Sequence, residues 1–260
     1  MTRPENVASD VGAVVAADAG AAIRARRLTR LFGPIPALEG VDLEVPRGGC
    51  VAILGLNGAG KSTLLRLCAT LLRPSGGGLA ILGGDAGADP QALRRRIGYL
   101  SHRTFLHDHL TGFENLQFYA RLYGLTAPRE AARGGLARAG LADRGDDLVG
   151  TYSRGMQQRL AIARALLHRP DLILLDEPFT GLDRDAAGRL ERLLREEKHA
   201  GRTILLATHD LGPVVRLADR VVILAAGRIA ADRPAAGLDA AGLDALLAER
   251  SAAPGGDPVP

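Results

Sequence analysis

The sequence predicts an α/β fold, a mostly parallel sheet covered by helices, with antiparallel edge strands and one inserted helical subdomain. Two observations carry this. Short apolar runs at 172–175, 203–207 and 221–224 alternate with helix-like segments at 184–199 and 211–217, and strand–helix alternation favours parallel strands joined by crossover helices. Between residues 111 and 167 the strand pattern stops, and three helix-like stretches follow one another at 114–122, 129–139 and 154–167.

The elements follow in order. Residues 1–20 are rich in Ala, Val, Gly and Asp without a strand or helix period, and 251–260 is rich in Pro and Gly. Both are expected to be flexible tails around a working domain at 21–250. Runs at 23–32 and 37–45, split by a Gly-Pro-Ile-Pro turn, read as antiparallel edge strands. Residues 50–54 form a short buried strand that ends at Gly55, with a helix due from Gly60, and 97–100 is a further strand. The helical subdomain is placed at about 105–168, and one more helix of no evident function at 239–250.

At 260 residues with 47% hydrophobic and 24% charged side chains, the chain can bury a core without disulfide or metal staples. Cys50 and Cys68 lie in apolar stretches without Cys-x-x-Cys spacing, which argues for small buried hydrophobes in a reducing compartment. Basic residues exceed acidic ones by only 33 to 29, but just two of the basic residues are Lys, at 61 and 198. A Lys that survives such a bias toward Arg is a candidate for chemistry. The apolar run at 221–226 is far shorter than the 18 or so residues that span a bilayer, and the N-terminus lacks a basic-then-apolar leader. A cytoplasmic protein is expected.

Gly55-Leu56-Asn57-Gly58-Ala59-Gly60-Lys61-Ser62 fits G-x-x-x-x-G-K-[ST] between a buried strand and a helix. Glycines let successive N–H groups turn toward phosphate oxygens, and the helix adds its positive end. A nucleoside triphosphate is therefore expected, with ATP contacts from Gly55, Asn57, Gly58, Ala59, Gly60, Lys61, Ser62 and Thr63. Lys61 would bridge the β- and γ-phosphates and Ser62 would bind Mg²⁺. Asp176 ends the apolar run 172–175, at the strand end where α/β folds bind ligands, and would hold Mg²⁺ through water. Glu177 would orient or deprotonate the attacking water.

Tyr152-Ser153-Arg154-Gly155-Met156-Gln157-Gln158-Arg159, 23 residues before Asp176, resembles the signature segment of ABC ATPases. The resemblance implies a P-loop NTPase core of ABC type, and two such domains paired head to tail around two ATP·Mg²⁺. Ser153, Arg154, Gly155, Met156 and Gln157 would then face the γ-phosphate held by the other copy. Arg154 and Met156 depart from the usual Gly and Gln. In the same family pattern Phe32 matches the adenine-stacking aromatic, Asp183 of Gly181-Leu182-Asp183 the D-loop, and His209 the switch histidine, a catalytic group that supports the γ-phosphate.

Where most of the family places a glutamine after the strand at 97–100, this chain has Ser101-His102. With Leu110-Thr111, Glu114-Asn115-Leu116 and Asp176-Glu177-Pro178-Phe179-Thr180 downstream, the chain looks like the ATP-binding subunit of the haem exporter of cytochrome c maturation. That resemblance implies an ATPase peripheral on the inner face of the cell membrane, which drives separate integral-membrane permease subunits through a cleft near His102. His102 would take the glutamine's catalytic place. The alternatives are the ATPase of another exporter, for drugs or polysaccharide, and a soluble ABC protein of iron–sulfur assembly or of the ribosome. His102, His107 and His109 lack a carboxylate or Cys at familiar ligand spacing and read as loop residues rather than a metal or haem site. Arg94-Arg95-Arg96 reads as a solvated face, and no nucleic-acid partner is expected.

Overall fold

The computed structural model describes residues 20–251, so the tails expected at 1–20 and 251–260 lie outside the described residues apart from their inner ends. The strands are β1 (Ala21–Phe32), β2 (Ile35–Pro46), β3 (Cys50–Leu54), β4 (Gly76–Ile81), β5 (Gly84–Asp85), β6 (Ile97–Leu100), β7 (Leu172–Asp176), β8 (Thr203–Ala207), β9 (Arg220–Ala225) and β10 (Arg228–Pro234). The helices are α1 (Lys61–Cys68), α2 (Pro90–Arg94), α3 (Gly112–Leu122), α4 (Pro128–Arg138), α5 (Arg154–Leu166), α6 (Arg184–His199), α7 (Leu211–Leu217) and α8 (Ala240–Ser251).

Two sheets form. The larger runs β10-β9-β3-β8-β7-β6, parallel from β9 to β6 with β10 antiparallel at its edge. Every residue of β3, β7 and β8 is buried, as parallel strands covered on both faces require. Successive β7 side chains serve opposite cores: Leu172 and Leu174 face α1, while Ile173 and Leu175 face α5 and α6. The antiparallel strands expected at the edge of this sheet instead build a separate one, ordered β2-β1-β4-β5, in which β1 is internal. Leu64, Leu65 and Leu67 of α1 share one core with Ile23, Leu28 and Ile81 of that sheet and Val51 and Leu205 of the larger one.

Three strands escaped the sequence reading: the two-residue β5, and β4 and β10, which lack an apolar period. β4 begins Gly76-Gly77-Gly78, which reads as a turn. Gly77 sits at φ +76, and a Cβ there would lie 2.2 Å from the Arg27 carbonyl oxygen, so the strand needs glycine to approach the β1 irregularity at Arg27, itself at φ 46. β10 carries Arg228, Asp232 and Arg233 and is largely exposed.

In the helical subdomain α5 turns one face, Ala161, Ile162, Ala165 and Leu166, to the sheet and the other, Leu160, Ala163 and Leu167, to α3 and α4. Thr111 and Glu114 form a reciprocal capping box that starts α3. Fully buried Asn115 holds the preceding loop: Nδ2 donates to the His107 and Thr111 carbonyls, both at 3.0 Å, and Oδ1 accepts from His107 N at 2.8 Å.

Just past α5, His168 stacks on Tyr123 at 3.9 Å between ring centres, and its Nε2 donates to the Ile97 carbonyl at 3.1 Å. Its Nδ1 is buried without a partner. Burial pushes the imidazole down from 6.5 to about 4, with the nearby Arg164 acting the same way against the Ile97 hydrogen bond. A folded pKa below the unfolded one means that the unfolded chain takes up the proton first, so stability is full above about pH 6.5 and falls as pH drops toward 4. That difference corresponds to about 3 kcal/mol. Urea unfolding midpoints between pH 7.5 and 4.5 are expected to fall more steeply for the wild type than for His168→Phe; parallel curves would reject the assignment.

Candidate nucleotide site

The site lies at the carboxyl ends of β3, β7 and β8, where parallel strands expose their last backbone groups to the loops. The loop after β3 is shaped by glycine. A Cβ on Gly55 would lie 2.2 Å from the Leu224 carbonyl oxygen, and one on Gly60 would lie 2.6 Å from that of Ala37. The loop is thereby wedged between β9 and β2, and Gly227 N donates to Ala59 O at 3.0 Å. Gly60 caps α1 at φ +105 without a side-chain hydrogen bond, so the amides of the first turn face the cavity uncapped.

That cavity, of about 350 Å³, is lined by Ala37, by the loop and α1 residues from Leu56 to Thr63, and by His102, Asp176 and Glu177. Lys61 is buried, with Nζ arched over the loop to donate to the Gly55 carbonyl at 2.6 Å and the Leu56 carbonyl at 3.1 Å. Asp176 is 3% exposed. Burial raises its pKa and adjacent Glu177 adds to this, while the Ser62 hydroxyl, Arg66 and Lys61 oppose the rise. Ser62 and Asp176 present only hard oxygen donors, one of them anionic, a set that suits Mg²⁺ with several retained waters.

Glu177 is held in place by β8 and the residues after it. It adopts φ 52, a left-handed conformation that costs a non-glycine residue about 1 kcal/mol or more. Its N–H donates to Ala207 O at 2.8 Å. Its carboxylate accepts from Thr208 Oγ1 at 3.1 Å and from His209 N at 3.4 Å, and its other oxygen is 2.9 Å from His209 Nδ1. The sequence-predicted acid and histidine therefore meet. Thr208 was not anticipated; its signal was a hydroxyl in Ala-Thr-His-Asp directly after a buried strand.

A second cavity, of about 730 Å³, shares His102, Asp176 and Glu177 with the first and is also lined by Arg154, Gln157, Gln158 and Thr180. The start of α5 thus lines one cavity with Asp176 and Glu177 of its own chain. Ser153 caps α5, its Oγ accepting from Met156 N at 3.3 Å. Gly155 lies against the Gly181 carbonyl, where a Cβ would come to 3.2 Å, and the Arg154 side chain covers Gly181. Gln158 Nε2 donates to Pro178 O at 3.0 Å, and Gln157 Nε2 to Val149 O at 3.2 Å. Asp183 caps α6, accepting from Ala186 N at 2.7 Å.

Phe32 stands apart from these cavities. It lies at the end of β1, exposed, under the Arg30 guanidinium at 4.7 Å. His107 packs its ring against Phe118 and Tyr119. Among the described residues no group of three or more His, Cys, Asp or Glu is placed to hold a metal ion, and no helix is long and apolar enough to cross a membrane.

The family model described as ABC transporter matches residues 38–180. The daunorubicin/doxorubicin resistance ATP-binding protein DrrA of Streptomyces peucetius is 41% identical over 210 residues, 80% of this chain and 64% of its own length. The chain thus spans just under two thirds of that relative. The ABC transporter ATP-binding protein NatA of Bacillus subtilis is 41% identical over 198 residues, 75% of this chain and 80% of NatA. Among solved structures, an ATP-binding subunit of an ABC transporter superposes with a TM-score of 0.80 at 35% identity, over 88% of this chain and 99% of that one. A dimeric ATP-binding cassette in a post-hydrolysis state with ADP and Pi superposes at 0.77 with 28% identity, over 83% of this chain and all of that one. The chain therefore belongs to the ABC transporter family and has the fold of its ATP-binding cassettes.

Proposed function

We propose that this chain is the ATPase subunit of an ABC exporter, that it pairs head to tail with a second cassette around two ATP·Mg²⁺, and that it drives a separate integral-membrane permease from the inner face of the membrane. One observation carries the reading: Lys61 and Ser62 share a cavity with Asp176 and Glu177, and His209 is fastened to Glu177.

The chemistry follows from that geometry. The amides at the start of α1 bind phosphate oxygens, and Lys61 exchanges its two carbonyl acceptors for the β- and γ-phosphates. The Ser62 hydroxyl and, through water, Asp176 would hold Mg²⁺, which would supply positive charge against the phosphates. Glu177 accepts a proton as water attacks the γ-phosphorus, and ADP leaves. Thr208 and His209 fix the direction of its carboxylate, and with its partners unmoved no reorganisation is needed at the moment of attack. His102 lines the same cavity as Lys61, Asp176 and Glu177 and would stand near the attacking water.

The partner cassette contributes Ser153, Arg154, Gly155, Met156 and Gln157. Ser153 Oγ accepts from an amide within its own helix, which leaves its O–H free to donate to a phosphate oxygen beside the positive helix end. Asp183 stands at the facing edge as the cap of α6. Phe32 offers an exposed ring to the adenine.

The cargo reading follows the relatives. DrrA is named for daunorubicin and doxorubicin resistance, and a Mycobacterium tuberculosis protein 41% identical over 80% of this chain for fluoroquinolone export. These favour a drug as the cargo. The haem export implied by His102 and Pro178-Phe179-Thr180 finds no support in them, and it stands as the second reading on those residues alone.

Lys61→Ala is expected to weaken binding of a fluorescent ATP analogue by about a hundredfold, since a charge-assisted contact is worth about 1.5–3 kcal/mol; unchanged affinity would reject the loop assignment. Glu177→Gln should keep ATP binding while turnover falls by about 10²–10⁴, the scale of general-base catalysis. In the complex with the permease, reconstituted in liposomes, an anthracycline should stimulate wild-type turnover and haem should not; the reverse pattern would return the cargo to haem. On the Glu177→Gln background, Ser153→Arg should abolish the ATP-induced dimer in sedimentation, and an undiminished dimer would reject the contact in trans.

A further inference from the structure

A crevice runs along the seam where α5 meets α6, bordered by the last residue of α4, and shares no residue with either cavity of the nucleotide site. Ile162 and Leu166 of α5 and Leu190 and Leu193 of α6 line it, spaced so that each pair stands on one stripe of its helix. It measures about 40 Å³. At on the order of 10–15 Å³ for each water-sized group, that is room for a few methylenes in file.

Its charges are sorted. Arg138, Arg159 and Arg189 line the crevice against one acid, Glu197. That acid stands about 12 Å beyond Arg189 along the α6 axis and pairs with Arg202 at 4.0 Å. Arg159 is half-buried and held, one terminal nitrogen donating to the Ala139 and Gly140 carbonyls, both at 3.0 Å. Burial and Arg189 push its guanidinium below the ordinary value, and Asp183, which opposes them, is itself engaged as the cap of α6. Arg138 and Arg189 are exposed, and among the described residues neither guanidinium has a hydrogen bond or an ion pair. Three guanidiniums from three helices thus border one apolar slot with no carboxylate paired to them. Their mutual repulsion is unfavourable, and an anion seated among them meets charged donors of which one is already fixed in place.

We propose that this crevice is a binding site for a small amphiphilic carboxylate of the fatty-acid kind, its alkyl tail between α5 and α6 and its head among Arg138, Arg159 and Arg189. A neutral alcohol of the same length fills the slot and leaves the cations unpaired, an alkylammonium adds a fourth positive charge, and inorganic phosphate meets the cations and leaves the slot empty. The position gives binding a consequence. Ser153 and Gly155 open α5, Asp183 caps α6, and Gly155 lies against the Gly181 carbonyl, so the seam continues into the contact between the signature segment and the loop before α6. A ligand that bridges α4, α5 and α6 stiffens that contact, and since conformational steps set many turnover rates, ATP turnover falls as the site fills. That consequence, unlike the binding, rests on the ATPase reading above.

The test titrates the ¹⁵N-labelled full chain with octanoate and follows amide shifts by NMR. Saturable shifts are expected at 162–166 and 186–193, with affinity at least tenfold above that of acetate, inorganic phosphate, 1-octanol or octylammonium, since charge-assisted contacts and buried methylenes both contribute on that scale. Arg138→Gln combined with Arg189→Gln removes only exposed side chains; it should weaken octanoate binding at least tenfold and leave basal turnover unchanged, while octanoate should slow the wild type and not the double variant. Shifts confined to other regions, equal binding of 1-octanol or phosphate, or full affinity in the double variant would overturn the proposal, and undiminished wild-type turnover at saturation would overturn the regulatory consequence. A wild-type chain that turns over no ATP without octanoate would strike the ATPase reading and leave the binding titration standing.

Discussion

The double packing of α5 is the constraint on which the rest depends. A helix buried on one face can tilt to suit its core, whereas α5 is clamped between the sheet through Ile162 and Leu166 and the helical subdomain through Leu160 and Leu167. Close-packed interiors do not deform continuously, so a displacement of α5 in one core would have to be accommodated in the other. Gly98 tightens that clamp: a Cβ there would lie 2.4 Å from the Ala165 carbonyl oxygen and 2.7 Å from Pro170 Cγ, so β6 approaches the end of α5 at backbone distance.

The same rigidity explains how a carboxylate can be kept ready for water. Asp176 and Glu177 are consecutive, yet one is sunk at the end of β7 beside Ser62 and the other is turned out by a left-handed backbone and tied to Thr208 and His209. Neighbouring acids with different surroundings can take different tasks. The buried one suits a cation held through oxygen, and the tethered one suits proton transfer. The positive φ at Glu177 is what separates them, since an extended residue there would continue the strand direction of Asp176.

Much of this was legible in the sequence where a pattern was local. The phosphate loop, the acid pair and the start of α5 are contiguous strings, and the boundaries of α6 and α7 emerged as read, at Arg184–His199 and Leu211–Leu217. What escaped depends on residues distant in the chain. β1 reads as an edge strand by its own alternation, and only the glycine-rich β4, unrecognisable by period, makes it internal. Arg164 sits in an ordinary helical stretch; nothing in its neighbours announces that Phe105 and Tyr119 close over it. Likewise Ala37 lines the phosphate cavity because β2 crosses the loop, a tertiary fact without a local signature.

The scarcity of lysine shows how far composition reaches. Both Lys residues do what a branched, planar guanidinium does less well: they place a compact charge among several close acceptors. Lys61 converges on two carbonyls of a tight loop, a geometry in which a triphosphate presents clustered oxygens of stronger charge. Lys198 converges on the Leu217 carbonyl at 3.3 Å and Asp219 Oδ1 at 2.5 Å, and Asp219 in turn accepts from Cys50 N at 2.8 Å. The second lysine thus ties α6 and the end of α7 to the first residue of β3, the strand that carries the phosphate loop. Selection for point-charge geometry, rather than for chemistry alone, is the property the two share, and it places one lysine at each end of β3.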